Sequence, residues 1–257
     1  MAPSRRVATL ATNDLRQVDN YPNRIMPEPL RYYLRRIESL RLGRSHGVPA
    51  PHKPLLLLAV LDLIEAGEIQ ANRIAPTPRL VEAFLRYWKH IGVGHARVFL
   101  PFYHLRMSGF WHLHPRKGKG VVLGSVRAFN AMSQLAGTVA YVSLDDELFA
   151  LLLDPAARAH VRQTIIDAHL PRYRPVIEGI VNENREVART ERSLLRQAEK
   201  PTAASDVPES PVRSAAFRSV IMKLYDYTCA ACRLRIITLN GGSAVDAAHI
   251  ILSWAVL

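Results

Sequence analysis

The chain is poor in cysteine: its 257 residues include only Cys229 and Cys232, three positions apart. A secreted disulfide framework needs more cysteines at wider spacings, so that class of protein is excluded. The C-x-x-C spacing suits two of the four ligands of a tetrahedral zinc site. A redox pair and two buried thiols are the alternatives.

Long apolar runs are also missing. The longest run, residues 55–61, is far shorter than the roughly 20 residues that a membrane-spanning helix requires. The first ten residues contain Arg5 and Arg6 and lack the apolar core of a secretory signal peptide. We therefore expect a cytoplasmic protein with no membrane partner.

Acidic residues are scarce relative to basic ones. The chain has 34 Lys and Arg against 22 Asp and Glu, which gives a formal net charge of +12. An excess of this size favours a polyanionic partner, and nucleic acid is the commonest one. A merely basic soluble protein is the alternative.

Apolar residues recur at helical spacing through much of the chain, interrupted by one segment rich in aromatic and β-branched residues. The pattern predicts helices over 30–42, 54–66, 78–91, from Asp145 to Leu153, and over 156–168. It predicts strands over 98–105, 110–113 and 121–123. A charged helix over 175–199 has too few apolar positions for a place in the core.

A polar, proline-punctuated segment divides the chain. We predict a loose arm over 1–27, a DNA-recognition domain over 28–199, a linker over 200–211 and a second module over 212–257. The fold class is α+β, with a mixed helical and β N-terminal domain.

Two motifs near the C-terminus carry chemistry. They are AAFRSVIMKLYDYTCAACRLRI at 215–236 and VDAAHII at 245–251. Together they resemble the opening of an HNH endonuclease domain, a ββα-metal fold. The resemblance implies that His249 is the general base and that Asp246 binds Mg²⁺ or a similar divalent cation. It also implies that Cys229 and Cys232 supply the first half of a structural Zn²⁺ site.

Members of the HNH family continue with an Asn, a second pair of zinc ligands and a helix His. This sequence continues instead as LSWAVL and stops at Leu257. We therefore predict an incomplete HNH module, with little or no nuclease activity in this form.

Three upstream segments carry a second resemblance. They are PAPHKPLLLLAVLDLIEAGEI at 49–69, LPFYHLRMSGFWHL at 100–113 and YVSLDDELFALLLDPAARAHVRQTIIDAHLP at 141–171. They are similar to the sulfur-binding DNA-recognition domains of McrA-like type IV restriction enzymes, which recognise phosphorothioate-modified DNA.

That resemblance implies an apolar pocket for the sulfur, framed by an aromatic–Pro pair. Leu100 and Pro101 fall at the pair, and Leu100 departs from the aromatic residue. His52, Lys53 and Arg127 fall near the other DNA-contacting segments.

Further candidates come from charge and position. Arg116, Lys117 and Lys119 form a basic tip that either contacts DNA phosphates or is simply solvated. Tyr103, next to the aromatic–Pro position, either faces DNA or packs in the core.

The first functional hypothesis is a restriction-type HNH endonuclease that binds double-stranded DNA and hydrolyses its phosphodiester bonds with a divalent cation. The alternative is a DNA-binding module without catalysis that recognises phosphorothioate DNA. A third hypothesis is a protein whose basic domain binds another protein. Assembly as a homodimer stays open.

Overall fold

The computed structural model describes residues 26–45, 47–198, 210–230, 232–235, 243 and 245–246. These residues form an α+β fold that is mostly helical. The helices are α1 (Glu28–Glu38), α2 (His52–Glu65), α3 (Pro78–Ile91), α4 (Phe99–His104), α5 (Gly120–Ser125), α6 (Met132–Thr138), α7 (Asp146–Leu153), α8 (Pro155–His169), α9 (Arg174–Ala198) and α10 (Pro211–Leu224). The strands are β1 (Arg44–Ser45), β2 (Val48–Pro49), β3 (Trp111–Pro115) and β4 (Val139–Leu144).

Helix α2 occupies the centre of the core. Its residues 54–61 are all buried, in agreement with a sequence that is apolar on nearly every side. Helices α3, α4, α7 and α8 pack around it. No helix in the described part of the chain has the length and hydropathy needed to cross a membrane.

Helix α3 shows how local signals set a boundary. The Thr77 hydroxyl accepts a hydrogen bond from the Leu80 N–H at 3.3 Å, and Pro78 occupies the first helical position. The predicted bounds, 78–91, are confirmed.

The main sheet has two antiparallel strands. β3 pairs with β4, with Trp111 opposite Leu144 and Leu113 opposite Val142. The buried Trp111 indole donates to the Phe102 carbonyl at 2.8 Å and so fixes the sheet to α4. Strand β4 is not among the strands predicted from the sequence.

Two predicted strands are wrong. Residues 99–104 form helix α4, followed by a 3-10 turn over 105–108, and residues 120–125 form helix α5. In α4 the buried Phe99, Phe102 and Tyr103 follow helical spacing, although aromatic residues are typical of strands. Pro101 lies in the first turn, where its missing N–H costs no helical hydrogen bond.

The prediction for the charged helix over 175–199 is right in type and wrong in role. Helix α9 buries Ile177, Ile180, Val181 and Val187 along one stripe, against α3 and α10. Four well-spaced apolar residues are enough for one contact face. The other predicted helices are confirmed to within a few residues.

The C-terminal helix α10 lies against α9. Lys223 Nζ donates to Glu68 at 3.0 Å and to Glu191 at 2.7 Å. Ser210 caps α10, whose first residue, Pro211, was placed in the predicted linker. The arm up to residue 25 and linker residues 200–209 lie outside the described residues, and the division into two modules stays a prediction.

We expect Leu58→Ala in α2 to lower the free energy of unfolding by about 2–5 kcal/mol, because the side chain is fully buried and its removal leaves a cavity. Leu153→Ala, at a position 51% exposed, is the control and should change it by less than about 0.5 kcal/mol. Urea denaturation measures both. Equal losses would contradict the central place of α2.

Candidate nucleic-acid interface

A groove opens where the start of α2 meets α4 and the loops that follow α1 and α3. Its cavity volume is about 690 Å³. It is lined by Gly43, Arg44, Ala50, His52, Lys53, Val93, Gly94, His95, Arg97, Leu100, Pro101 and His104. We call it the groove.

The groove brings together four of the residues predicted from the sequence. His52 and Lys53 come from the first turn of α2, and Leu100 and Pro101 come from α4. Leu100 is half-buried and Pro101 is buried, so their aliphatic atoms form an apolar wall. Arg44 and Arg97 also line the groove beside this wall. Both side chains are exposed and can reach a ligand in the groove.

Lys53 is held in place on one side of the groove. Its ammonium group donates to the Arg41 carbonyl at 2.8 Å. Partial burial lowers the pKa of Lys53 below its ordinary value. A nearby anion would offset that desolvation and use the two donors that the ammonium group has left.

Two of the three groove histidines, His52 and His104, have lowered pKa values. Burial, and then the charge of Arg97, lower the pKa of His52, whose ring lies 4.4 Å from that of Trp88 between centroids. Burial, followed by the charges of Lys53 and Arg106, lowers the pKa of His104. Both imidazoles are therefore neutral at pH 7.

Comparison with known families identifies the region that builds the groove. The family model described as the ScoMcrA-like DNA sulfur-binding domain matches residues 31–177, more than half of the 257 residues. The chain belongs to the ScoMcrA-like DNA sulfur-binding domain family. None of the curated proteins compared with the chain matches it.

All residues that line the groove lie inside the matched sulfur-binding domain. Family membership supports DNA as the partner of this chain. The match ends before the predicted linker and gives no support to an HNH module.

Tyr103 is close to the groove but belongs to the core. Its ring is fully buried, meets Phe129 edge-on at 5.0 Å between centroids, and is covered by the Arg106 guanidinium at 3.8 Å. Its hydroxyl donates to the Val126 carbonyl. Tyr103 therefore holds α4 against the segment that carries the exposed Arg127.

The basic tip lies outside the residues that line the groove. Arg116 donates through Nε to the Ala136 carbonyl at 2.6 Å, so part of its guanidinium is already bound. Lys117 and Lys119 are exposed on either side of Gly118, whose φ of +75° makes the turn. Their contact with phosphate stays a prediction.

The described part of the C-terminal region does not assemble a metal site. No group of three or more His, Cys, Asp or Glu residues is placed to hold an ion among the residues that the structure describes. Asp246 accepts a hydrogen bond from Arg218 Nε at 2.5 Å, and His249 lies outside the described residues.

Cys229 and Cys232 flank one tight turn, closed by hydrogen bonds from the Cys229 N–H to Leu234 O and from the Arg233 N–H to Cys229 O, both at 2.9 Å. Two thiolates are half of a tetrahedral zinc set, so the described residues alone do not fit the ion. The zinc and magnesium sites stay predictions.

Sequence reasoning missed several groove residues, including Arg97 and His95. Leu100, Pro101 and His104 follow the i, i+3 and i, i+4 spacings that place residues on one face of α4, and Arg97 lies just before that helix. Reading this segment as a strand concealed that shared face. Arg44 lies in the two-residue strand β1 and His95 lies in a loop, and neither segment is long enough to show a period.

The groove histidines give a pH prediction. Because their pKa values are lowered in the folded chain, the unfolded chain binds more protons just below the ordinary pKa of 6.5. Their contribution to stability is complete above pH 6.5 and is lost as the pH falls. We expect the parent protein to lose more unfolding free energy between pH 7.5 and 5.5 than a His52→Gln/His104→Gln variant, with most of the difference arising at His52, because solvent screens the less buried His104.

Urea denaturation at the two pH values measures this difference. His90→Gln, at an exposed position on α3, is the matched control and should behave as the parent does. Parallel pH dependence in the parent and the double variant would contradict the assignment.

Proposed function

We propose that residues 31–177 bind duplex DNA and that the groove receives a phosphorothioate group. The observation that carries this proposal is the meeting, in one cavity, of the apolar wall at Leu100 and Pro101 with the basic start of α2. These segments are separated by almost 50 positions in the sequence, so the fold is what joins them.

Sulfur chemistry suits such a wall. A sulfur atom is larger and less strongly hydrated than the phosphate oxygen that it replaces, so contact with aliphatic carbon costs it less desolvation. Leu100 supplies aliphatic contact area at the position where the family pattern has an aromatic residue. Pro101 has no backbone N–H, so no donor at that position attracts an oxygen instead.

Charge supplies the rest of the affinity. Lys53, Arg44 and Arg97 surround the cavity and can neutralise the modified linkage and its neighbouring phosphates. These contacts release counterions from DNA and carry little sequence information. The apolar wall is therefore the part of the groove that would distinguish sulfur from oxygen.

A nuclease activity rests on the C-terminal sequence motifs alone. Asp246, Cys229 and Cys232 keep the roles that the HNH resemblance implies as predictions. Binding of modified DNA by the sulfur-binding domain does not require them.

We expect Leu100→Ser to reduce the preference for phosphorothioate over unmodified duplex by roughly ten-fold, because a polar hydroxyl replaces apolar contact worth about 1–2 kcal/mol. Leu100→Phe restores the aromatic residue of the family pattern and should keep or raise the preference. Leu153→Ser, a partly exposed leucine outside the groove, is the control. Fluorescence anisotropy with matched duplexes measures the ratio. An unchanged ratio in Leu100→Ser would reject this wall as the sulfur contact.

Loss of a basic groove residue should act on all DNA alike. We expect Lys53→Gln to weaken binding to modified and plain duplexes equally and to reduce the slope of log K against log salt by about one. Adding Lys117→Gln and Lys119→Gln tests whether the basic tip contributes further. Lys89→Gln, at an exposed position on α3, is the matched control. A salt slope unaffected by Lys53→Gln would show that Lys53 makes no phosphate contact.

A further inference from the structure

A second cavity lies at the other end of α2. It opens between α2, α3 and α9, and its volume is about 410 Å³. Five arginines line it: Arg79, Arg86, Arg185, Arg189 and Arg192. We call it the arginine pocket. It shares no lining residue with the groove.

The two carboxylates in the pocket already have strong partners. Asp62 is bound by Tyr87 Oη at 2.5 Å, by Arg162 at 2.8 Å and by Asn184 at 2.8 Å. Glu65 accepts from Arg162 at 2.8 Å and from Arg185 at 2.7 Å. These acids are therefore neutralised by Arg162, behind the pocket, and by Arg185.

Arg79 is also paired. Its Nε and one terminal nitrogen donate to the Glu68 carboxylate, at 2.9 and 2.7 Å. This bidentate ion pair occupies the Arg79 donors that face Glu68, so Arg79 has little capacity left for a ligand.

Three guanidinium groups remain. Arg86 donates to the neutral Asn184 amide oxygen at 2.5 Å, and Arg189 and Arg192 are exposed at the pocket rim. No carboxylate of the described chain lies within ion-pair distance of these three. Burial, and then the charge of Arg79, lower the pKa of Arg86 against the opposing charges of Glu82, Glu183 and Glu191, and the guanidinium stays protonated at neutral pH.

With Arg79 paired to Glu68 and Arg185 paired to Glu65, the lining keeps three arginines, Arg86, Arg189 and Arg192, without a carboxylate partner among the described ion pairs. A bound anion would relieve both the desolvation and the mutual repulsion of the arginines. The planar guanidinium fork matches phosphate oxygens in particular. The volume lies within the range of small-molecule sites, roughly 300–1,000 Å³.

We propose that the arginine pocket binds a small phosphate-bearing anion, with Arg86 inside the pocket and Arg189 and Arg192 at its rim. The site lies about 14 Å along α2 from Lys53, since nine residues separate Lys53 from Asp62. Arg185, Arg189 and Arg192 also lie beyond residue 177, outside the segment matched by the sulfur-binding domain. The pocket is therefore distinct from the proposed DNA groove.

Inorganic pyrophosphate is the probe. Isothermal titration calorimetry at physiological salt should detect binding to the whole chain. Arg86→Gln, which keeps a donor for Asn184, and Arg189→Gln/Arg192→Gln should each weaken it by about ten-fold or more. Arg35→Gln, an exposed arginine on α1, and Lys89→Gln, an exposed lysine on α3 outside both cavities, are the controls and should change affinity less than about two-fold.

Circular dichroism verifies that each variant is folded. If Arg86→Gln does not fold, Arg86→Lys replaces it as the test variant, because lysine keeps the positive charge and removes the guanidinium fork. A parallel titration with ADP identifies the source of the phosphate: equal affinity assigns a free diphosphate group, and tighter binding assigns a nucleotide.

Two results would overturn the proposal. The first is no binding of pyrophosphate to the parent at millimolar concentration, or equal weakening by the control variants, which would indicate diffuse attraction to a basic protein. The second is loss of duplex DNA binding in Arg189→Gln/Arg192→Gln with no effect of Arg86→Gln or Arg86→Lys on pyrophosphate. That result would assign the rim to a DNA backbone, which does not reach Arg86.

Discussion

The constraint on which the structure depends is the complete burial of α2 over residues 54–61, between its two end turns. A helix surrounded by other elements can place polar side chains only near its two ends, because a charge in its middle would be desolvated without compensation. His52 and Lys53 stand at the beginning of α2, and Asp62 and Glu65 stand in its last turn. The groove and the arginine pocket open at these two ends. The chemistry of the domain is therefore organised by the one element that is almost entirely apolar between its termini.

The polar end of α2 also explains how the outer helices are held. Asp62 has its negative charge buried among Tyr87 of α3, Arg162 of α8 and Asn184 of α9. Burial raises the pKa of Asp62, and the charge of Arg162 and the three hydrogen bonds act against that rise. Removal of any one partner would leave the carboxylate undercompensated, so three helices are fixed by one group.

The sequence predicted what is local and missed what depends on distant partners. Thr77 and Pro78 define the start of α3 through their own bonds, and the bounds of α3 were correct. Strand β4 needs β3 as its partner and Ile74 as a bridge to Val142, and neither contact has a local signal. The groove was found in part because family resemblance, unlike periodicity, can relate residues 52–53 to residues 100–101. No resemblance pointed to the arginine pocket. Its charged residues lie on α2, α3 and α9, and in the sequence each of them is typical of a solvated helix surface.

Helix α9 connects the matched domain to α10. Its first half is packed into the sulfur-binding domain through Ile177 and Val181, and its second half carries α10. A continuous helix of 25 residues is about 38 Å long. Lys223 and Arg218 of α10 pair in addition with Glu68 and Glu82, on the domain itself. The orientation of α10 is thereby set by the helices against which it packs, so α10 keeps a constant offset from the groove, as a ruler would impose.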